Sequence, residues 1–203
     1  MKMAKQTRKP VYRSGLRKAQ ADLTRTRIQE AAASLLDERG APEGSTFKAV
    51  AERAGVTEMT VYRHFPKRED LLHGLWLHLN ASMGQGLGMP ESANTLLAQH
   101  DALFTGFDRI APQIVASITT PQGREMRTSL NPSRRKAFTA IVREVAPDLD
   151  PGKRTAAAAI LQLLHSAYAW DSLREHWGLD GKAAGKATKW ALEILLKELR
   201  RSS

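Results

Sequence analysis

Ile28, Ala31, Ala32, Leu35 and Leu36 fall at i, i+3, i+4, i+7 and i+8, and Leu71, Leu72, Leu75, Trp76 and Leu79 repeat a closely similar spacing. Such spacing lays one apolar stripe along a helix. Sustained alternation of apolar and polar residues occurs nowhere, and β-branched residues are sparse. The fold class expected is therefore all-α. Helices are expected from about 23, at 46–54 and 57–64, from about 67, and at about 91–109, 111–119, 133–146, 153–177 and 182–201. Asp22 or Thr24 is placed to cap the first, and Gly40 followed by Pro42 to end it. Gly84, Gly86, Gly88 and Pro90 interrupt the pattern after the fourth.

Composition narrows the partners. The 203 residues include no cysteine, which removes disulfides, thiolate metal sites and cysteine nucleophiles together. No stretch approaches the run of about 18 uncharged apolar residues that a membrane-spanning helix needs. Lys and Arg number 31 against 21 Asp and Glu, a net charge of +10 that favours an anionic partner. The excess is greatest at the start, where Lys2, Lys5, Arg8, Lys9, Arg13, Arg17 and Lys18 are unopposed by any acid. Residues 1–21 are therefore expected to be a flexible basic arm. It suits phosphates or a minor groove, and equally a solubilising tail. A transit peptide is a weaker reading, because Pro10 and Gly15 break a long amphipathic helix there.

Residues 46–72 read TFKAVAERAGVTEMTVYRHFPKREDLL and have helix-turn-helix form. Thr46 and Thr57 are placed as caps, and Gly55 fits a left-handed position just past the first helix. Phe47, Val50, Ala51, Val61 and Phe65 turn inward, leaving Glu58, Met59, Thr60, Tyr62 and Arg63 at least partly outward. A helix held this way fits a DNA major groove about 12 Å wide. Thr hydroxyls suit bases or phosphates, and Tyr, His and Lys or Arg side chains suit phosphate oxygens. Tyr62 and Phe65 also fit plain packing, and His64 a helix C-terminus.

The run from Thr46 to Leu72 resembles the DNA-binding region of the TetR family of bacterial transcriptional repressors. Thr46-Phe47, Ala51, Ala54-Gly55-Val56-Thr57, Thr60 to Pro66, Glu69 and Leu71-Leu72 carry the resemblance, which is specific over about 24–80. It implies an N-terminal three-helix domain (22–66) joined by a shared helix to a larger ligand-binding and dimerisation domain (67–203). It implies that Thr46, Thr57, Thr60, Tyr62 and His64 contact DNA, chiefly its backbone, while Glu58, Met59 and Val61 fall at variable base or groove contacts. Arg63 joins this set, and Lys67 and Arg68 depart from the family's usual small cap followed by Lys. Arg68 is expected to keep the phosphate contact, leaving the cap of the fourth helix open. Met59 replaces a usual Gly or Ala and suits a thymine methyl group.

The last two helices carry apolar arcs wider than one core contact needs, so either a second copy covers them or both are core. Leu161, Trp170, Trp190, Ile194 and Leu195 are the candidate dimer residues. Leu103, Phe104, Phe107, Ile114, Ile118, Phe138, Leu164, His165 and Tyr168 are candidates to line a pocket for a small, mostly hydrophobic effector, or else are plain core.

The resemblance thus implies a homodimeric repressor on double-stranded, palindromic operator DNA, released by a small molecule. A regulator without an effector is the alternative, and a basic membrane-surface or protein-interaction module is more distant. No catalytic residue, metal or cofactor is expected. HExxH, GxSxG, phosphate-loop and GxGxxG motifs are missing, and His73 and His78 are five apart, not the i, i+4 spacing of zinc ligands on one helix face. Chain length and lack of cysteine fit a bacterial cytoplasm, at the nucleoid.

Overall fold

A computed structural model describes residues 12–37 and 46–201. Eleven helices are found among them, with no strand: α1 (Tyr12–Asp37), α2 (Phe47–Ala54), α3 (Glu58–His64), α4 (Arg68–Met83), α5 (Ala93–Arg109), α6 (Ala111–Thr119), α7 (Pro121–Ser129), α8 (Asn131–Val145), α9 (Pro151–Leu164), α10 (Ala167–Trp177) and α11 (Gly181–Arg201).

Three elements differ from the sequence expectation. The first helix begins at Tyr12, so residues 12–21 of the expected arm are helical. The run Leu16-Arg17-Lys18-Ala19-Gln20-Ala21 is made of strong helix formers, which outweigh the cost of about 1 kcal/mol for Gly15. Thr24 is therefore mid-helix, and its hydroxyl donates to the Gln20 carbonyl at 2.8 Å instead of capping. Residues 1–11 of the arm, and the Gly40–Pro42 stop, lie outside the described residues. Second, α7 was not expected. Its sequence PQGREMRTS is too polar to show a stripe, but Thr120 caps it by accepting from the Gly123 N–H at 3.0 Å, with Pro121 at its first turn. Third, the expected helix over 153–177 is two helices. It breaks at His165, and Ser166 caps α10 by accepting from the Ala169 N–H.

The N-terminal core joins Ile28, Leu35 and Leu36 of α1 to Val50, Val61, Phe65 and the Leu71, Leu72, Leu75 and Leu79 face of α4, and continues into Ala116 and Met126. Two further cores fill the larger part. One gathers α8, α9 and the ends of α5 and α11 around Phe138, Ile141, Leu161, Leu192 and Leu196; the other gathers Met83, Phe104, Phe107, Ile114, Ile118 and Trp170. Helix α4 thus contributes to the first core through its leucines and to the last through Met83.

Helix α11 runs antiparallel to α5, since Gly181 meets Phe104 and Asp108 while Lys189 meets Asp101. A Cβ on Gly181 would stand 2.3 Å from the Phe104 carbonyl oxygen, so only glycine permits this approach. Asp108 anchors the junction by accepting from the Gly181 N–H at 2.6 Å and the Trp170 Nε1–H at 2.8 Å. No helix among the described residues is long and apolar enough to cross a membrane.

Candidate nucleic-acid interface and internal cavity

Helices α2 and α3 are set by local chemistry. Thr46 accepts from the Ala49 N–H at 3.1 Å, and Thr57 from the Thr60 N–H at 3.2 Å, so each helix starts on a hydroxyl cap. Gly55 sits at φ 63°, ψ 38°, and the Val56 N–H returns to the Ala51 carbonyl at 3.0 Å. A β-carbon at Gly55 would be strained by the left-handed backbone.

Long-range contacts then fix α3. Arg27 donates to the Ala54 carbonyl at 2.7 Å, closing the end of α2. Arg25 donates to the His64 carbonyl at 2.9 Å while its guanidinium lies 4.2 Å from the Phe65 ring centre. Phe65 is fully buried against Gly74, where a Cβ would come within 2.5 Å of Cε1. Tyr62 packs edge-on against Phe47 with centroids 4.3 Å apart.

Thr57, Glu58, Met59, Tyr62 and Arg63 are exposed along α3, and Met59 is 74% exposed. Thr60 and His64 are half-buried; Thr60 Oγ1 pairs with Thr57 Oγ1 at 2.9 Å. Burial, then Arg63 and Arg25, lowers the His64 pKa, favouring a neutral ring. Val61 departs from the expected contact set. It is fully buried, because it lies on the inner side of α3 and joins the N-terminal core of α1, α2 and α4.

Lys67 is exposed, and the missing small cap of α4 is replaced from the other direction: Asp70 accepts from the Lys67 N–H at 3.0 Å. Arg68 is not left for a phosphate in this structure. Its Nε and Nη2 each donate to Glu125 of α7 at 2.6 Å, a bidentate pair 57 residues apart in sequence. Glu125 is held below the usual carboxylate range chiefly by that hydrogen bonding.

Between α4 and the larger helical part lies a cavity of about 90 Å³. Of the expected pocket residues, Leu103, Phe107, Ile114, Phe138 and His165 line it. Phe104, Ile118, Leu164 and Tyr168 do not. Phe104 is consumed by packing under α11, Ile118 is buried in the same core, and Leu164 packs in the neighbouring one. Tyr168 is half-exposed beneath the Arg127 guanidinium, 4.9 Å from its ring centre. Sequence reasoning missed Trp76, Leu79, Asn80 and Met83 of α4, and Arg127, Arg134 and Gln162. The Thr120-Pro121 helix start was the available signal for Arg127; Trp76 and Leu79 were marked only as the apolar stripe of their helix, and nothing local marked the rest.

His165 belongs to a buried relay. Its Nδ1 lies 2.8 Å from His100 Nδ1, and His100 Nε2 lies 2.7 Å from Thr188 Oγ1. The Thr188 hydroxyl donates to the Ala184 carbonyl at 2.8 Å, so it accepts from His100. A neutral His100 then accepts from His165, whose Nε2 keeps its lone pair. Burial lowers both pKa values, to about 4 for His100 and about 3 for His165.

Of the candidate dimer residues, Leu161 and Trp170 are wholly buried inside the chain's own cores and offer no surface. Leu195 is partly buried, while Trp190 is 67% exposed and Ile194 is exposed beside it. No group of three or more His, Cys, Asp or Glu that could hold a metal ion occurs among the described residues.

Residues 28–75 match the family described as "Bacterial regulatory proteins, tetR family". Among solved structures, the ketosteroid transcriptional regulator KstR2 of Mycobacterium tuberculosis is similar at 20% identity and a TM-score of 0.40, covering 86% of this chain and 93% of that one. No curated protein matches the chain.

Proposed function

We propose, from the premise that this chain is a tetR-family DNA-binding transcriptional regulator, that it is a homodimeric repressor released from a palindromic operator by a small molecule. On this reading residues 22–66 bind DNA and 67–203 bind ligand and partner. Thr57, Met59, Thr60, Tyr62 and Arg63 enter a major groove, with Thr46, His64 and Lys67 on flanking phosphates. Arg68 joins those phosphates only when Glu125 lets go.

The observation that carries release is the position of α4. The same helix follows the recognition element, presents its leucines to the N-terminal core, and lends Trp76, Leu79, Asn80 and Met83 to the cavity wall. A ligand there acts on a helix that two cores share. Half-sites about 34–36 Å apart are read together, so a small tilt of α4 in each subunit weakens both contacts at once. Exposed Trp190 and Ile194 support a subunit contact through α11.

The test is binding to DNA immediately upstream of the chain's own gene, titrated with salt in the presence of unlabelled competitor. Competitor-resistant, salt-sensitive binding that is lost in Tyr62→Ala is expected. Binding that competitor abolishes entirely refutes an operator there, and a sedimentation mass of one 22.5 kDa chain refutes the dimer.

A further inference from the structure

The cavity wall holds cations without counter-ions. Arg127 and Arg134 both line it, and none of the lining residues is an Asp or Glu. Neither guanidinium has a carboxylate partner among the described residues. Arg134 Nη1 donates to the Arg127 main-chain carbonyl at 2.6 Å, which draws the two side chains' helices, α7 and α8, together. Arg127 lies over the Tyr168 ring, and its Nε is buried with no hydrogen-bond partner. The Asn80 Nδ2 is a second buried donor with no partner, and it stands on the same wall from α4.

Unpaired buried donors and charges cost free energy that packing alone does not return. Burial lowers the Arg134 pKa to about 10, with the nearby Arg127 charge adding to the effect, and burial lowers Arg127 as well. The rest of the wall is mostly apolar, with Trp76, Met83, Phe107 and Phe138 prominent. A free inorganic anion would leave those surfaces unused, and a hydrocarbon would leave the donors unsatisfied.

We infer that the cavity is a site for a small amphipathic monocarboxylate, its carboxylate between Arg127 and Arg134 and its apolar body along Trp76, Met83, Phe107 and Phe138. A planar carboxylate matches the guanidinium fork. The inference rests on the ligand-responsive reading above and specifies the ligand's chemistry. It also gives the ligand a route outward: Arg127 is two residues from Glu125, which holds Arg68 at the start of α4.

Calorimetric titration of the full chain, without DNA, tests it with hexanoate, octanoate and phenylacetate, each against its primary amide. Acetate and octyl phosphate complete the set. At least one of the three acids is expected to bind about 10- to 100-fold more tightly than its amide, the range a charge-assisted hydrogen bond supplies. Acetate is expected to bind far more weakly than that acid. Arg134→Gln should erase the acid–amide gap, and Arg134→Lys should restore part of it, with melting curves confirming that each variant folds. Amides that bind as tightly as acids, tighter binding of octyl phosphate than of octanoate, or no binding of any acid at millimolar concentration would each overturn the inference. Operator affinity is measured separately on the unliganded protein, so its loss refutes the regulator reading and leaves the ligand assignment standing.

Discussion

Arg68 at the first turn of α4 and Glu125 in the middle of α7 form a two-point salt bridge, both contacts at 2.6 Å, that ties the start of α4, just past α3, to α7. Both side chains are close to half-exposed, at 41% and 44%, so the pair contributes at most about 1 kcal/mol to stability. On the proposed reading its role is competition, because a guanidinium held by Glu125 is withheld from a DNA phosphate.

Glu125→Gln is therefore expected to leave the melting temperature nearly unchanged and to tighten operator binding at low salt. One further phosphate contact steepens the slope of log K against log salt by about 0.9. Fluorescence anisotropy across a salt series reads this directly, and an unchanged slope contradicts the competition.

Adjacent residues on α3 should behave oppositely. Tyr62→Phe keeps the edge-on contact with Phe47 and removes only the hydroxyl of an exposed residue. It should cost about 0.5–1.5 kcal/mol of operator binding and nothing in stability. Val61→Ala opens space in a filled core and should cost about 0.5–3 kcal/mol of stability, while the folded protein keeps its affinity. Denaturation and binding curves for the two variants separate the roles.

Gly74→Ala carries a diagnostic sign. In an open helix, alanine for glycine stabilises by about 1 kcal/mol. Here the new Cβ meets Phe65 Cε1 at 2.5 Å, and Phe65 is itself trapped beneath Arg25. The expected outcome is a loss of about 1–3 kcal/mol in urea denaturation, together with weaker operator binding because Phe65 terminates α3. A stabilised variant refutes the packing argument.

The histidine relay sets an acid limit. Both folded pKa values lie below the ordinary 6.5, near 4 and 3, because burial disfavours the charged rings. The unfolded chain binds two protons there that the folded chain refuses. The relay's contribution is thus complete above about pH 6.5 and is lost as pH falls towards 4, at up to about 1.4 kcal/mol per unit for each histidine. Comparing unfolding free energies between pH 7.5 and 5 with those of His165→Gln should show a slope shallower by about one proton in the variant. Equal slopes would mean that His165 is protonated in the native state.

Local chemistry was legible wherever the determining partners lie within a few residues. The Thr46 and Thr57 caps, the left-handed Gly55, the inward Phe65 and the apolar face of α4 all follow from neighbours one to four positions apart. The polar helix α7 was not legible despite its local Thr120 cap, because it has no apolar stripe of its own and packs by bringing Gly123 against the α6 backbone.

What the sequence by itself determined is a helical chain with a capped helix-turn-helix near its start. Only the tertiary structure decided that Leu161 and Trp170 are core while Trp190 is surface, that Arg68 answers to Glu125, and that His100 meets His165 from 65 residues away. It also brought Arg127 and Arg134 to one apolar cavity without an acid. An arc of apolar residues specifies which side of a helix avoids water, not which neighbour covers it. Which charges are paired depends on side chains that approach only after distant helices have packed.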